Sequence, residues 1–208
     1  MKKQIFLFKG GIIVLLTILP LLSNAQSDST KATFWKPIPR NYEVKQALEI
    51  ESLFPMFFYG GWHVGVGFRY NKFRLRVSVI NGGDYNADAQ SLDGAIDGYE
   101  RYYTTSPGLF IGYNIWKNLE VYGYYERHTF EIKQLATNET VEIPSNDFGI
   151  GISYQFFIGR TFYVQPGIHS YFRAEKSLTF ENNQTYTVPT FELSPIIRVG
   201  ARLWKKYD

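Results

Sequence analysis

From Gly61 to Ile80 hydrophobic and polar residues alternate. Trp62, Val64, Val66, Phe68 and Tyr70 fall on one side of an extended backbone, and His63, Gly65, Gly67 and Arg69 on the other. Asn71-Lys72 interrupts the run. The alternation resumes with Phe73, Leu75, Val77 and Val79 against Arg74, Arg76 and Ser78. Two runs of period two joined by a two-residue polar link predict a β-hairpin. One face is greasy and the other carries charge and glycine, which suits a strand that crosses a bilayer better than one in an open sheet in water.

The same pattern recurs along the chain. Leu48 and Ile50 oppose Glu49 and Glu51 in a strand that starts at Gln46 and ends near Phe54-Pro55. After the hairpin, 81–106 reads as a long loop with Asp84, Asp88, Asp93, Asp97, Tyr99 and Arg101 as candidates for external contacts. Further strands are expected over 108–116 and 119–132, the latter with Glu120, Glu126 and His128 on its polar face, whereas Phe130 and Ile132 break the parity. Residues 134–146 read as a second polar loop. Strands follow over 148–156 and 162–171, with Pro166 an anomaly in the second, tolerable at a bulge or a missing ladder bond. A third loop covers 174–189. The last strand sets Leu193, Ile197, Val199, Ala201 and Leu203 against Glu192, Ser194, Arg198, Gly200 and Arg202. The expected fold is all-β: an eight-stranded antiparallel up-and-down barrel with short links at one end and long ones at the other, the rhythm of transmembrane barrels.

The polar face helps to choose between lipid and water outside. A soluble lipocalin-like barrel would show the same parity with the faces exchanged. Here that face is crowded with Gly65, Gly67, Gly112, Gly149, Gly151, Gly167 and Gly200, as a narrow eight-stranded lumen requires. Its charges nearly balance: Glu49, Glu51, Glu120, Glu126 and Glu192 against Arg69, Arg74, Arg76, Arg173, Arg198 and Arg202. Such pairing is expected of a closed lumen, because an unpaired buried charge is costly. Trp62, Tyr70, Tyr113, Tyr125 and Tyr154 lie on the apolar face, some near strand ends where an interfacial girdle would sit.

Composition adds the compartment. Met1-Lys2-Lys3, an apolar run from Gly11 to Leu22, and Ser23-Asn24-Ala25 read as a secretory signal over 1–25. Residues 26–44 read as a periplasmic lead-in and 45–208 as the barrel. The signal carries Lys2, Lys3 and Lys9 and no acid, so its removal takes the formal charge from +3 to zero. A neutral chain argues against a nucleic-acid partner. There is no cysteine, hence no disulfide framework.

Over Gln46–Trp204 the alternation, the loop rhythm and the signal ending Asn24-Ala25-Gln26 resemble the small eight-stranded outer-membrane barrels, the OmpA transmembrane domain and OmpX group. The resemblance implies a monomeric structural, adhesion or small-pore protein in the bacterial outer membrane. Its partners would be outer-membrane lipid and an unidentified extracellular ligand, with no cofactor.

Candidate chemistry is sparse. His63, His128 and His169 all have lumen parity, which fits a proton-shuttling or metal-binding interior but equally a polar filling. The alternative function is a lipid A-modifying enzyme. His169-Ser170 invites that reading, yet adjacent strand residues point to opposite faces and cannot pair as base and nucleophile without a bulge. The spacing Asp93-Gly-Ala-Ile-Asp97 is not that of an EF-hand.

Overall fold

A computed structural model describes residues 44–90 and 96–207. The expected signal segment, nearly all of the lead-in, and Asp93 lie outside the described residues. The strands are β1 (Gln46–Leu53), β2 (Trp62–Tyr70), β3 (Phe73–Asn81), β4 (Tyr99–Tyr103), β5 (Ser106–Trp116), β6 (Leu119–Gln134), β7 (Thr140–Tyr154), β8 (Phe156–Ile158), β9 (Phe162–Arg173), β10 (Lys176–Thr179), β11 (Thr185–Val188) and β12 (Phe191–Lys206). Eight of them form one closed antiparallel circuit, β1-β2-β3-β5-β6-β7-β9-β12, with β12 pairing back onto β1. The fold is a closed eight-stranded antiparallel transmembrane β-barrel. The others extend it. β4 continues β5 upward along β6, β8 continues β7 downward along β9, and β10 and β11 form a separate hairpin. Asn71-Lys72 and Lys117-Asn118 close two connections at the end that holds both strand termini, here the turn end.

Proline tests the closure, since it cannot donate to a ladder. Pro107 falls between the two stretches of β6 pairing, Tyr103↔Phe130 and Gly108↔Glu126. Pro144 lies above the last β7–β9 pair, Asp147↔Arg173, and Pro195 above the last β1–β12 pair, Leu53↔Arg198. Pro166 sits opposite the gap between Ser153↔Gly167 and Phe156↔Val164, and the register is the same on both sides of that gap. Each strand proline thus lies where one flank is unpaired, and no bulge is needed at Pro166.

The outward face is apolar through the barrel wall. Val66, Ile111 and Ile150 are exposed, at 43%, 59% and 62%, while Arg74 and Arg198 are buried. A soluble carrier would have these reversed. Aromatic residues ring both margins of the apolar belt. Near the turn end are Tyr70, Phe73, Tyr113, Trp116 and Trp204, with the Phe73 and Tyr113 rings 4.9 Å apart. At the other margin stand Trp62, Tyr125, Phe148, Phe172 and Phe191, and Tyr125 Oη donates to Asn146 Oδ1 at 2.8 Å. Nine residues of β2, at about 3.3 Å each and tilted by about 40°, rise about 23 Å, close to the apolar height of such barrels, about 25 Å.

Above that margin the pattern inverts. On β6, Val121, Gly123 and Tyr125 point outward and Glu120, Tyr122, Tyr124, Glu126 and His128 inward; from Arg127 upward the outward residues are Arg127, Thr129, Glu131 and Lys133, and the inward ones include Phe130 and Ile132. β7 inverts on the same rung. Phe148, partner of Tyr125, is the last apolar outward residue, and Asn146, partner of Arg127, begins a polar face that includes Glu142 and Thr140. Side-chain parity therefore does not break at Phe130 and Ile132, as the sequence pattern suggested. The outward face turns from apolar to polar instead.

This corrects the second expected loop. Most of 134–146 is strand, leaving residues 135–139 as the turn. The first loop contains β4 and one helical turn, Ala87–Gln90, and the third contains the β10–β11 hairpin. Phe130, Ile132, Ile143, Phe180, Tyr186 and Val188 form an apolar plug in this upper storey.

Arginine at position 150 should cost about 2–4 kcal/mol, as for cations near a bilayer midplane. Glu142→Arg, on the same face of β7 but above the inversion, should stay within about 0.5 kcal/mol. Urea unfolding in lipid vesicles measures both.

Candidate functional site: the plugged lumen

Period-two parity puts every second side chain of eight strands into a narrow cylinder, so the lumen must be filled and its polar atoms paired. Glu49, Glu51, His63, Arg69, Arg74, Arg76, Glu120, Glu126, His128, His169, Glu192, Arg198 and Arg202 are all buried inside. They form two clusters.

The cluster near the turn end centres on Arg74. Its Nε lies 2.6 Å from Glu49 Oε2, its Nη2 2.7 Å from Glu51 Oε2 and its Nη1 3.1 Å from Glu120 Oε2. It also donates to Tyr163 Oη and Gln165 Oε1. One guanidinium therefore ties β1, β3, β6 and β9 together across the cylinder. Each carboxylate has further donors: Arg202 on Glu49 at 2.9 Å, Arg76 on Glu51 at 3.0 Å, and Gln165 on Glu120 at 2.8 Å. Arg76 and Arg198 both stack on Phe110 and Tyr122, with guanidinium carbons 4.8–5.6 Å from the ring centres. Rings thus accept part of the positive charge.

Glycines make room for this filling. Gly151 faces Tyr122 across the β6–β7 ladder, and a Cβ there would lie 2.3 Å from the Tyr122 ring. Gly149 stands in the same relation to Tyr124.

The second cluster is a relay at the level of the inversion. Asp147 accepts from Ser145 Oγ at 2.5 Å, from His128 Nδ1 at 2.9 Å and from Arg173 Nε at 2.9 Å. Arg173 bonds Glu192, Glu192 bonds Arg101, and Arg101 Nε reaches Asp88 Oδ1 at 2.7 Å. Asp88 accepts in turn from Tyr186 Oη at 2.7 Å. Burial and the Asp88 carboxylate outweigh nearby Arg101 and push the Tyr186 phenol up, so it remains a donor. The relay clamps β4, the Ala87–Gln90 turn and β11 onto the barrel wall.

Asp88 and Arg101 are thus buried partners of one another and not external contacts as expected from the sequence, whereas Asp84 and Asp97 are exposed and Tyr99 packs against the apolar plug. Asp147 was missed by sequence reasoning. It shares parity with Gly149, Gly151 and Ser153 but lies one residue outside the expected 148–156 strand. The plug residues Ile143, Phe180, Tyr186 and Val188 were missed with the loops that hold them.

No nucleophile and base are brought together at the His169-Ser170 pair. Ser170 Oγ donates to Ile150 O across the ladder at 2.9 Å, and His169 Nε2 faces Arg198 Nη2 at 2.8 Å. No metal-ligating group of three His, Asp or Glu side chains is gathered among the described residues.

Closure on eight strands and an apolar exterior over a charged interior decide the architecture. It is that of a small transmembrane β-barrel. No family model matches the chain, and no curated protein sequence does. Among solved structures it is similar to the N-terminal β-barrel domain of Pseudomonas aeruginosa OprF, at 12% identity and a TM-score of 0.45 over 77% of this chain and 98% of that one. A major outer membrane protein from Thermus thermophilus matches at 12% identity and a TM-score of 0.44, over 76% and 98% of the two chains. Neisserial surface protein A matches at 11% and 0.40, over 76% and 93%.

Arg74→Met should destabilise the barrel by about 3–5 kcal/mol, because it leaves three buried carboxylates short of a cation. Gly151→Ala should cost about 1–3 kcal/mol by overpacking against Tyr122. Both are read from unfolding midpoints in detergent micelles.

Proposed function

We infer that the chain is a monomeric, non-enzymatic outer-membrane barrel with a structural or surface-interaction role. Bilayer residence is carried by one observation: along β6 and β7 the outward face passes from apolar to polar on a single rung, Tyr125/Phe148 to Arg127/Asn146, while the backbone ladder continues. A soluble barrel has no reason to change its outer chemistry partway up a strand. The change fits the boundary between lipid and the external medium, with the termini on the periplasmic side.

A structural or surface role is favoured over solute passage by the Arg74 cluster across the bore and by the relay and apolar plug above it. The folded upper storey offers the outside a rigid surface. On the β10–β11 hairpin, Ser177 and Thr187 hydroxyls pair at 2.7 Å and those of Thr179 and Thr185 at 3.2 Å, forming an exposed hydroxyl ladder. Such a surface suits hydrogen bonding to a polar extracellular partner. An enzymatic reading finds little support, since the Ser170 hydroxyl is spent on a backbone carbonyl.

Unboiled membrane fractions should show heat-modifiable migration in gel electrophoresis, and a deletion strain should keep its lipid A acyl pattern. A soluble product without such migration would sink the membrane reading. A changed acyl pattern restored by the wild type but not by His169→Ala would replace the structural role with an enzymatic one.

A further inference from the structure

The unburied charges are sorted by end. At the turn end stand Lys45, Lys72, Lys117, Arg160, Lys205 and Lys206, with no acid among the described residues there. At the loop end, eight unburied acids face three bases, Arg127, Lys133 and Lys176. Every unburied acid of the described barrel thus lies at one end, and two thirds of the unburied cations at the other. Solubility does not require such sorting, and a surface with mixed signs would serve it better.

Two of the turn-end cations are seated against the aromatic girdle. Lys117 Nζ lies 4.5 Å from the centre of the Trp116 ring, and Lys72 Nζ 5.9 Å from that of Tyr113. Both rings point outward, and Tyr113 pairs across the ladder with Phe73, the residue after Lys72. An exposed ammonium resting on an interfacial ring sits at headgroup depth, with its alkyl stem along the acyl boundary.

The backbone supplies a separate observation. Lys117 adopts φ of 49°, a left-handed conformation that long side chains rarely take. In the neighbouring turn that position is held by Asn71, at φ of 51°, which tolerates it. In the Lys117-Asn118 turn the order is exchanged: lysine takes the left-handed site although an asparagine follows. Strain accepted at one exposed residue points to a use for its side chain.

We propose that the turn-end rim binds anionic phospholipid headgroups of the periplasmic leaflet, with Lys72 and Lys117 holding the phosphodiester above Tyr113 and Trp116. This rests on the bilayer reading above. The rim selects negatively charged headgroups over zwitterionic ones by charge, and the Tyr113 and Trp116 rings beneath the two ammonium groups fix where the phosphate sits. It also gives the barrel an orientation-specific lipid contact at the end opposite its acidic surface.

The test compares the full chain with a Lys72→Gln/Lys117→Asn variant, each inserted into phosphatidylethanolamine vesicles with and without phosphatidylglycerol. Retained lipid is read by native mass spectrometry. The wild type should enrich phosphatidylglycerol over phosphatidylethanolamine, and the variant should lose about fivefold of that enrichment for each cation removed. Because Asn relieves the strain at position 117, the variant should insert at least as stably as the wild type in the zwitterionic vesicles. Insertion with equal retention of the two lipids, or enrichment that survives in the variant, overturns the site while leaving the barrel reading intact. Failure of the wild type to insert in either vesicle overturns both. Cosedimentation with carboxylate-bearing cell-wall polymer, lost in the variant without any lipid preference, assigns the rim to a different anion and also overturns the proposal.

Discussion

Hydrocarbon offers no hydrogen-bond partner to a peptide group, so a strand can cross it only if both of its edges are paired. The closed circuit β1-β2-β3-β5-β6-β7-β9-β12 meets that demand, and most other features follow from it. The prolines keep to ladder gaps because a proline elsewhere would leave a carbonyl without a donor. The upper reaches of β7 and β12 lack a second neighbour, and there, outside the apolar belt, water can satisfy an open edge.

Closure on eight strands leaves a bore too narrow to stay empty and too polar to fill with hydrocarbon side chains. Two solutions coexist in it. Charge is gathered on Arg74, which meets three carboxylates from two other strands, and volume is matched by setting glycines opposite large rings, Gly151 opposite Tyr122 and Gly149 opposite Tyr124. The consequences are coupled, since an added methyl at Gly151 displaces a ring on which Arg76 and Arg198 rest. Higher up, the Asp147–Arg173–Glu192–Arg101–Asp88 relay joins the wall to the external segments. The apolar plug above it resembles the core of a water-soluble protein: Phe130 and Ile132 face in and Glu131 and Lys133 face out. One molecule thus carries two opposite hydrophobic patterns, each suited to its own solvent.

That doubling explains what could be read from residues alone. The wall strands were legible, because an apolar outward face set against charge and glycine suits little besides a barrel embedded in lipid; the lumen positions of Glu49, Arg74 and Arg198 followed from parity. The upper storey was hidden for the same reason. Once outward means polar, Glu131, Lys133, Thr140 and Glu142 look like loop residues, so β6 and β7 were cut short and Asp147 was lost with them. Asp88 and Arg101 looked like solvent-facing charges because the other groups that bury them, Tyr186 and Glu192, come from segments far along the chain. The β10–β11 hairpin has four residues per strand, too short for its alternation to stand out from a polar loop. No spacing rule announces such contacts.

The account stands or falls on the inversion along β6. The chain has no cysteine, so single cysteines can be placed at each position from Val121 to Lys133 and spin-labelled in lipid vesicles. Collision with oxygen, which partitions into lipid, can then be compared with collision with a water-soluble nickel complex. Labels at 121, 123 and 125 should favour oxygen, and labels at 129, 131 and 133 the nickel complex, with the crossover at Arg127. Oxygen preference extending unchanged through 133, or nickel access at 121 and 123, would contradict it.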